Sequence, residues 1–238
     1  MRGLSTDRPD ITESPISVDA GHFQIETDVF KTTINKTAGI KTVENNFNLA
    51  NLKLGINNRT DLQLVVGSYA NSYIKDKSGN KINNSSGFGD LTLRVKYNFW
   101  GNDDGKTAFA MMPYVNLPTS ADNSNIEAGV VFPFSVDLGN DFGFGTQVQF
   151  DVVKSALTSG YHGSFLHSVV LGKEFSRSFE AFAESYFTVD AERKQFQLSV
   201  NGGLGYLPTE NLKFDIGFNY GLTKNTDNVY FIGFSFRY

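Results

Sequence analysis

The chain has 238 residues, of which 40% are hydrophobic and 14% aromatic, and its net charge at pH 7 is -4. This length fits one all-β domain, and the charge lacks the basic excess that a nucleic-acid partner requires, so nucleic acid is excluded. The absence of cysteine excludes disulfides and Cys-ligated metals, and no apolar run approaches the ~18 residues that a transmembrane helix needs.

Residues 1–19 precede the first predicted strand, and Pro9 and Pro15 prevent this stretch from joining a sheet as an interior strand. The first residues lead into polar sequence without the apolar core of a secretory signal, so we expect a mature chain whose signal peptide has been removed. Two interpretations stay open, a disordered tail or a plug that pairs with charges inside a barrel mouth. The charged residues of the plug hypothesis are Asp7, Arg8, Asp10 and Glu13.

From residue 20 to residue 238, about twelve segments alternate between apolar and polar residues, which predicts β-strands of about 9–11 residues. In segment 90–99 the odd-numbered residues are apolar or aromatic and the even-numbered ones are polar. Two segments are less regular, since 42–56 changes phase near Leu49 and 164–174 fits either phase. The same period holds in segments 23–30, 128–138, 142–152, 179–190, 196–206 and 212–222.

The predicted connections alternate between short and mostly longer ones. Short connections are predicted at 57–60, 101–105, 139–141, 176–177 and 208–210. Longer ones are predicted near 33–41, 75–87, 118–125, 155–163, 190–194 and 223–228. Short periplasmic turns that alternate with longer external loops are typical of outer-membrane barrels, and an even strand count then leaves both termini in the periplasm.

The last predicted strand separates a membrane barrel from a soluble one. It ends on the final residue with an apolar or aromatic face, which would promote aggregation in a soluble protein. This pattern resembles the C-terminal signal that the barrel-assembly machinery reads in outer-membrane proteins. The residues that carry it are Tyr230, Ile232, Gly233, Phe234, Phe236 and Tyr238. We therefore predict a closed, antiparallel, all-β transmembrane barrel over residues 20–238, located in the cell outer membrane and surrounded by membrane lipid.

The polar face of the predicted strands would make a poor soluble core but suits a water-filled lumen. Its charged residues are candidates to line a pore. They are Glu26, Asp28, Arg94, Lys96, Asp151, Glu180, Glu184, Lys213, Asp215 and Arg237. An alternative role is to cross-link the wall, and the acids and Arg8 of the plug hypothesis are candidate partners for them.

Several motifs resemble an outer-membrane family named for a role in the MetA pathway of phenol degradation, whose members are described as transporters. The resemblance rests on Asp7-Arg8-Pro9-Asp10, on residues 55–62 and on Gly87-Phe88-Gly89-Asp90-Leu91, and it covers nearly the whole chain. It implies an outer-membrane barrel with a transport role. The chain departs from the family pattern at Lys53 and Gln63, where Arg and Glu are expected.

His162-Gly163-Ser164 is the one candidate for catalytic chemistry, because an outer-membrane phospholipase uses a His and a Ser at this spacing. A nucleophile also needs a third group that orients its base, and the sequence assigns none. The three histidines are scattered without carboxylates at ligand spacing, so we expect neither a metal site nor a cofactor.

A barrel of about twelve strands is wide enough to leave a lumen that side chains narrow or close. The leading hypothesis is a passive channel for small solutes whose identity the sequence does not reveal. The alternatives are a closed structural or adhesive barrel that acts through its external loops, and a lipid-modifying enzyme.

Overall fold

The computed structural model describes residues 1–103, 105–120 and 125–238. These residues contain no helix of a length and apolar character that would cross a membrane. Their secondary structure consists of strands. The strands are β1 (Phe23–Thr37), β2 (Ile40–Asn57), β3 (Thr60–Lys75), β4 (Lys81–Gly87), β5 (Leu91–Trp100), β6 (Thr107–Leu117), β7 (Glu127–Gly139), β8 (Phe142–Lys154), β9 (Tyr161–Ser176), β10 (Phe179–Asp190), β11 (Gln195–Thr209), β12 (Leu212–Gly221) and β13 (Asn228–Arg237).

Twelve of these strands form a closed antiparallel barrel, in which every strand pairs with its neighbours in the chain and β1 pairs with β13. At the closure, Phe23 and Tyr238 exchange backbone hydrogen bonds of 2.8 and 2.9 Å. The extra strand, β4, pairs with the far part of β3, beyond the part that pairs with β5. The predicted fold class is therefore confirmed, with one additional strand.

The two ends of the barrel differ in their connections. The turn end carries the connections at 58–59, 101–106, 140–141, 177–178 and 210–211, together with both termini. The loop end carries the connections at 38–39, 76–80, 88–90, 118–126, 155–160, 191–194 and 222–227.

The two faces of the wall follow the predicted alternation. Phe150, Phe214 and Phe218 are about half exposed on the outer face, whereas Gln147 and Asp215 on the lumen face are 2% and 3% exposed. Most of the described residues that the fold buries are polar or charged, whereas few are apolar. This is the arrangement of a barrel with lipid outside and polar groups inside.

The structure resolves the two irregular segments. Asn48 has a φ of 54° and pairs with no residue of β1 or β3 in the strand register, whereas Phe47 and Leu49 on either side of it do. The alternation therefore changes phase at Asn48. In β9, Ser168 is fully buried in the lumen and His167 faces outward, where its ring lies 5.6 Å from that of Phe187. This phase puts Val170 in the lumen, which explains why the pattern of 164–174 was ambiguous.

Two of the predicted loops are wrong. The loop at 33–41 is a two-residue turn, Ala38-Gly39, in which both residues have positive φ as a tight hairpin requires. Ala is an uncommon residue in that conformation, so the turn signal was hidden. The loop at 75–87 contains β4, whose Asn and Ser residues resemble loop composition, although the backbone pairs with β3.

Candidate functional site

Residues 1–19, the N-terminal segment, lie inside the barrel near the turn end. The backbone N–H of Val18 donates to Asp61 Oδ2 on β3 at 2.9 Å, and that of Ile11 donates to Glu184 Oε2 on β10 at 2.8 Å. Because β3 and β10 are six strands apart in the ring of twelve, they face each other across the lumen. The segment therefore crosses the interior.

Asp7 is the centre of a buried charge cluster. Its carboxylate pairs with Lys53 and with Lys96, whose Nζ lies 2.7 Å from Asp7 Oδ1, and both lysines are almost fully buried. Glu26 also pairs with Lys53 and accepts the backbone N–H of Asp7 at 2.9 Å. Burial acts against the charge of Asp7, but Lys53 and Lys96 outweigh it, so the pKa of Asp7 lies well below its ordinary value.

Arg8 is held by two carboxylates of the wall, one on β1 and one on β12. Its guanidinium pairs with Asp28 and donates to Asp215 Oδ1 at 2.6 Å. A Cβ on Gly233 would lie 2.2 Å from Arg8 Nη2, so the glycine makes room for the guanidinium. Phe231 lies beneath it, with the Arg8 Cζ 5.8 Å from the ring centroid. The glycine of the predicted assembly signal therefore also has a role inside the lumen.

Glu184 holds the middle of the N-terminal segment. Its carboxylate accepts from the backbone N–H and the hydroxyl of Thr12 at 2.8 and 2.6 Å, and from Asn201 Nδ2 at 2.6 Å. Gln147 accepts the N–H of Glu13 at 2.7 Å and donates to the carbonyl of residue 11 at 3.0 Å. These contacts fix the backbone where the segment is furthest from its ends.

The Glu13 side chain forms a weaker anchor. Its Oε1 lies 2.7 Å from Arg94 Nη1, but Glu13 Oε2 and Arg94 Nε are buried without a hydrogen-bond partner among the described residues. Burial and the nearby Asp7 carboxylate raise the pKa of Glu13 to about 7, against the opposing effect of Arg94. Burial and the nearby Glu184 carboxylate also raise the pKa of Asp10 well above its ordinary value, so the segment holds two carboxyl groups that bind a proton more readily when docked.

Two other wall cations bind the backbone of the segment. Lys213 Nζ donates to the Arg8 carbonyl at 3.2 Å and pairs with Glu180 at 2.5 Å. Arg237 Nη2 donates to the Arg2 carbonyl at 2.9 Å. Since each carbonyl is a fixed point along the chain, these contacts set the position of the segment and not only its charge balance.

Two candidate residues are not brought into the charge clusters. Asp10 forms no ion pair within 4 Å in the part of the chain that the structure describes, although it belongs to the Asp7-Arg8-Pro9-Asp10 motif. Asp151 lies nearer the loop end, where it accepts from the Tyr114 hydroxyl and from Gln149 Nε2 at 2.9 Å. Asp151 therefore cross-links the wall and does not contact the segment.

The His162 and Ser164 pair has no hydrogen bond between its members in the described residues. His162 instead lies between two acidic residues, with its Nε2 3.4 Å from Asp190 Oδ1 and its Nδ1 3.6 Å from Glu192 Oε2. A nucleophile that does not contact its base lacks the geometry of the hydrolase hypothesis.

A cavity of about 740 Å³ remains between the N-terminal segment and the wall formed by β7 to β10. Gly143, Gly145 and Gly172 line part of its wall, and the charged pair Glu180 and Lys213 lines another part. The cavity lies beside the β7–β8 turn, so it belongs to the turn end of the barrel.

Several residues that hold the segment were not among the predicted site residues. Lys53 lies on β2, where the phase change at Asn48 hid its orientation toward the lumen. Asn102 accepts the N–H of Ser17 at 3.0 Å from a turn, where no alternation exists to reveal its direction. The Asn98 side chain donates to the carbonyl of Pro15 at 2.8 Å. The pattern of 90–99 predicts that this side chain points into the lumen, but it does not predict the contact with Pro15.

The family described as "Putative MetA-pathway of phenol degradation" matches residues 6–238, which includes most of the N-terminal segment. The chain belongs to this family. The expectation drawn from the motifs is thereby confirmed. The chain matches no curated protein sequence.

Solved structures with the same fold are outer-membrane barrels. The COG4313 outer membrane channel from Pseudomonas putida F1 is 11% identical with a TM-score of 0.68, over 98% of this chain and 100% of that one. The NanC porin is 12% identical with a TM-score of 0.58, over 88% and 98%. The translocator domain of the autotransporter NalP from Neisseria meningitidis is 13% identical with a TM-score of 0.57, over 93% and 90%. At these identities the likeness concerns the fold.

Proposed function

We propose that the protein is an outer-membrane channel for the passive passage of small solutes and that the N-terminal segment is its plug. The observation that carries this proposal is the polar lumen, in which a separate stretch of chain is held by ion pairs beside a cavity of about 740 Å³. Pockets of about 300–1,000 Å³ accommodate small molecules. The porin and channel folds of the structural neighbours support this proposal.

The turn end and both termini face the periplasm in this proposal. Its support is that both termini and mostly two-residue turns lie at one end, whereas most of the longer connections lie at the other. The plug would then close the periplasmic mouth, and the barrel-assembly machinery would read the outward side chains of β13. We assign no catalytic role, because among the described residues Ser164 has no hydrogen bond to His162, which lies beside Asp190 instead.

Planar-bilayer recordings of the purified full-length protein test the channel directly. We expect discrete conductance steps, and liposome swelling with sugars, amino acids and aromatic acids then ranks the solutes by permeation rate. Membranes that contain folded protein but show neither conductance nor swelling would instead indicate the closed structural barrel.

A further inference from the structure

The loop-end parts of β1 to β4 carry a line of lysines. In the strand register Lys36 pairs with Lys41, Lys41 pairs with Lys75, and Lys75 pairs with Lys81. Residues that pair directly in an antiparallel sheet share a face and have Cβ atoms about 4.5–5.5 Å apart. These four residues, the lysine row, are therefore a continuous line of like charges across four strands.

The lysine row has no charge compensation within the described part of the chain. None of its members forms a salt bridge there, and the acidic residues on these strands and their turn make other contacts: Glu44 accepts from Asn46, and Asp76 accepts from Asn80. Like charges that face each other across a ladder are destabilising. The repulsion between the facing lysines is therefore relieved if the lysine row binds an anion from outside the chain.

Tyr73 orders two members of the row. Lys81 Nζ lies 4.3 Å from the centroid of the Tyr73 ring, and Lys75 Nζ lies 5.7 Å from the same centroid. A cation over an aromatic face keeps its charge and leaves its other N–H groups available. The ring therefore positions the two ammonium groups without neutralising them.

The lysine row faces outward, above the apolar band of the barrel. Phe30, Phe47 and Tyr69 form an aromatic cluster on the outer face, with successive ring centroids 5.3 and 6.1 Å apart. Lys41 and Lys75 lie six residues further along the strands of Phe47 and Tyr69, in unbroken register and so on the same face. At ~3.3 Å per residue and a strand tilt near 45°, Lys41 and Lys75 lie about 14 Å above the aromatic cluster, which is of the kind that marks the membrane interface.

We propose that the lysine row binds the phosphate groups of the glycolipid that forms the outer leaflet around the barrel. This proposal rests on the orientation given under the proposed function, with the loop end outside the cell. The row points sideways over the apolar band and not into the lumen, so a lipid headgroup reaches it more directly than a solute of the channel. Each lysine near an anionic membrane surface contributes about 1 kcal/mol to attraction.

The test uses the full-length protein refolded into detergent without bacterial lipid. Lipid A with two phosphates, and the same lipid after dephosphorylation, are titrated and followed by native mass spectrometry. We expect Lys41→Gln with Lys75→Gln to weaken binding of the phosphorylated lipid by about fivefold per lysine, roughly 25-fold for the pair. A control with Lys194→Gln and Lys224→Gln, in other loop-end turns, should bind like the wild type.

A folding defect is distinguished by the melting temperature without lipid. Removal of facing like charges should leave that temperature unchanged or raise it. Equal binding by the row variant and the control, equal binding of the dephosphorylated lipid, or equal competition by inorganic tripolyphosphate would each overturn the proposal. Bilayer conductance tests the proposed function separately, because these outward residues do not line the lumen. The orientation is checked by labelling of Asn80→Cys on intact cells with an impermeant maleimide, since the chain has no other cysteine.

Discussion

The outer and inner faces of the barrel wall are built by the same strands but follow different rules. Outside, Phe150 and Phe218 are about half exposed, and lipid accepts any apolar side chain in their place. Inside, Asp7 and Arg8 each have defined partners on the wall. The outer face is therefore specified by the kind of residue, whereas the inner face is specified by pairs of residues.

The largest expected effect comes from a change of residue kind on the outer face. Phe236→Asp should abolish insertion into the outer membrane, because it places a charge toward lipid within the pattern that resembles the assembly signal. The measurement is the amount of heat-modifiable protein in outer-membrane fractions. Leu157→Asp, in an exposed loop, is the control that should insert normally. Equal membrane levels of the two variants would show that the terminal pattern is not needed.

Loss of one inner partner should leave the barrel intact but release the plug. Asp7→Asn leaves Lys96 buried without its carboxylate, and an uncompensated buried charge costs about 3–5 kcal/mol. The docking equilibrium of the segment should then shift by roughly 100-fold or more, seen as a larger open fraction in bilayer recordings. Asp10→Asn, in the same segment, is the matched control and should not release the plug, because burial and Glu184 disfavour the charged form of Asp10. A similar open fraction in both variants would argue against the Asp7 cluster as an anchor.

A smaller release is expected from crowding on the inner face. Gly233→Ala places a methyl group where Arg8 Nη2 and the Thr27 carbonyl would each lie 2.2 Å away. Overpacking of this kind costs about 1–3 kcal/mol, so Arg8 should shift and the open fraction should rise by roughly tenfold. Gly202→Ala, whose added carbon meets only ordinary contacts from 3.5 Å, is the control. An equal open fraction in the two variants would show that Arg8 does not need the space that Gly233 leaves.

A further expected effect is a dependence of plug docking on pH. Docking raises the pKa of Glu13 from its ordinary value of 4.5 to about 7, so the docked segment takes up a proton more readily than the free one. The plug should therefore close more tightly as pH falls from about 8 toward 5. The lowered pKa of Asp7 opposes docking only below its ordinary value of 3.8. Glu13→Gln should weaken this dependence without removing it, because burial also raises the pKa of Asp10. A wild type that opens on acidification would contradict the assignment.

The difference between the outer and inner faces of the wall explains which features the sequence could predict. The positions of the strands and the directions of their side chains could be predicted from the sequence. The alternation of polar and apolar residues is a local pattern that the lipid outside enforces, as in segment 90–99. The inner pairs could not be predicted, because the contact of Asp7 with Lys96 joins residues far apart in the chain and appears only when the barrel closes. Phe231 shows the limit clearly: it is apolar but faces the lumen, where the guanidinium of Arg8 lies over its ring.

Removal of residues 1–15 shows whether the N-terminal segment plugs the channel. This truncation deletes the ion pairs of Asp7, Arg8 and Glu13 while leaving every ladder hydrogen bond of the barrel in place. We expect the truncated protein to fold, as judged by heat-modifiable migration. Its single-channel conductance in planar bilayers should be higher or noisier than that of the full-length protein. An unchanged conductance from a folded, truncated barrel would contradict the plug hypothesis.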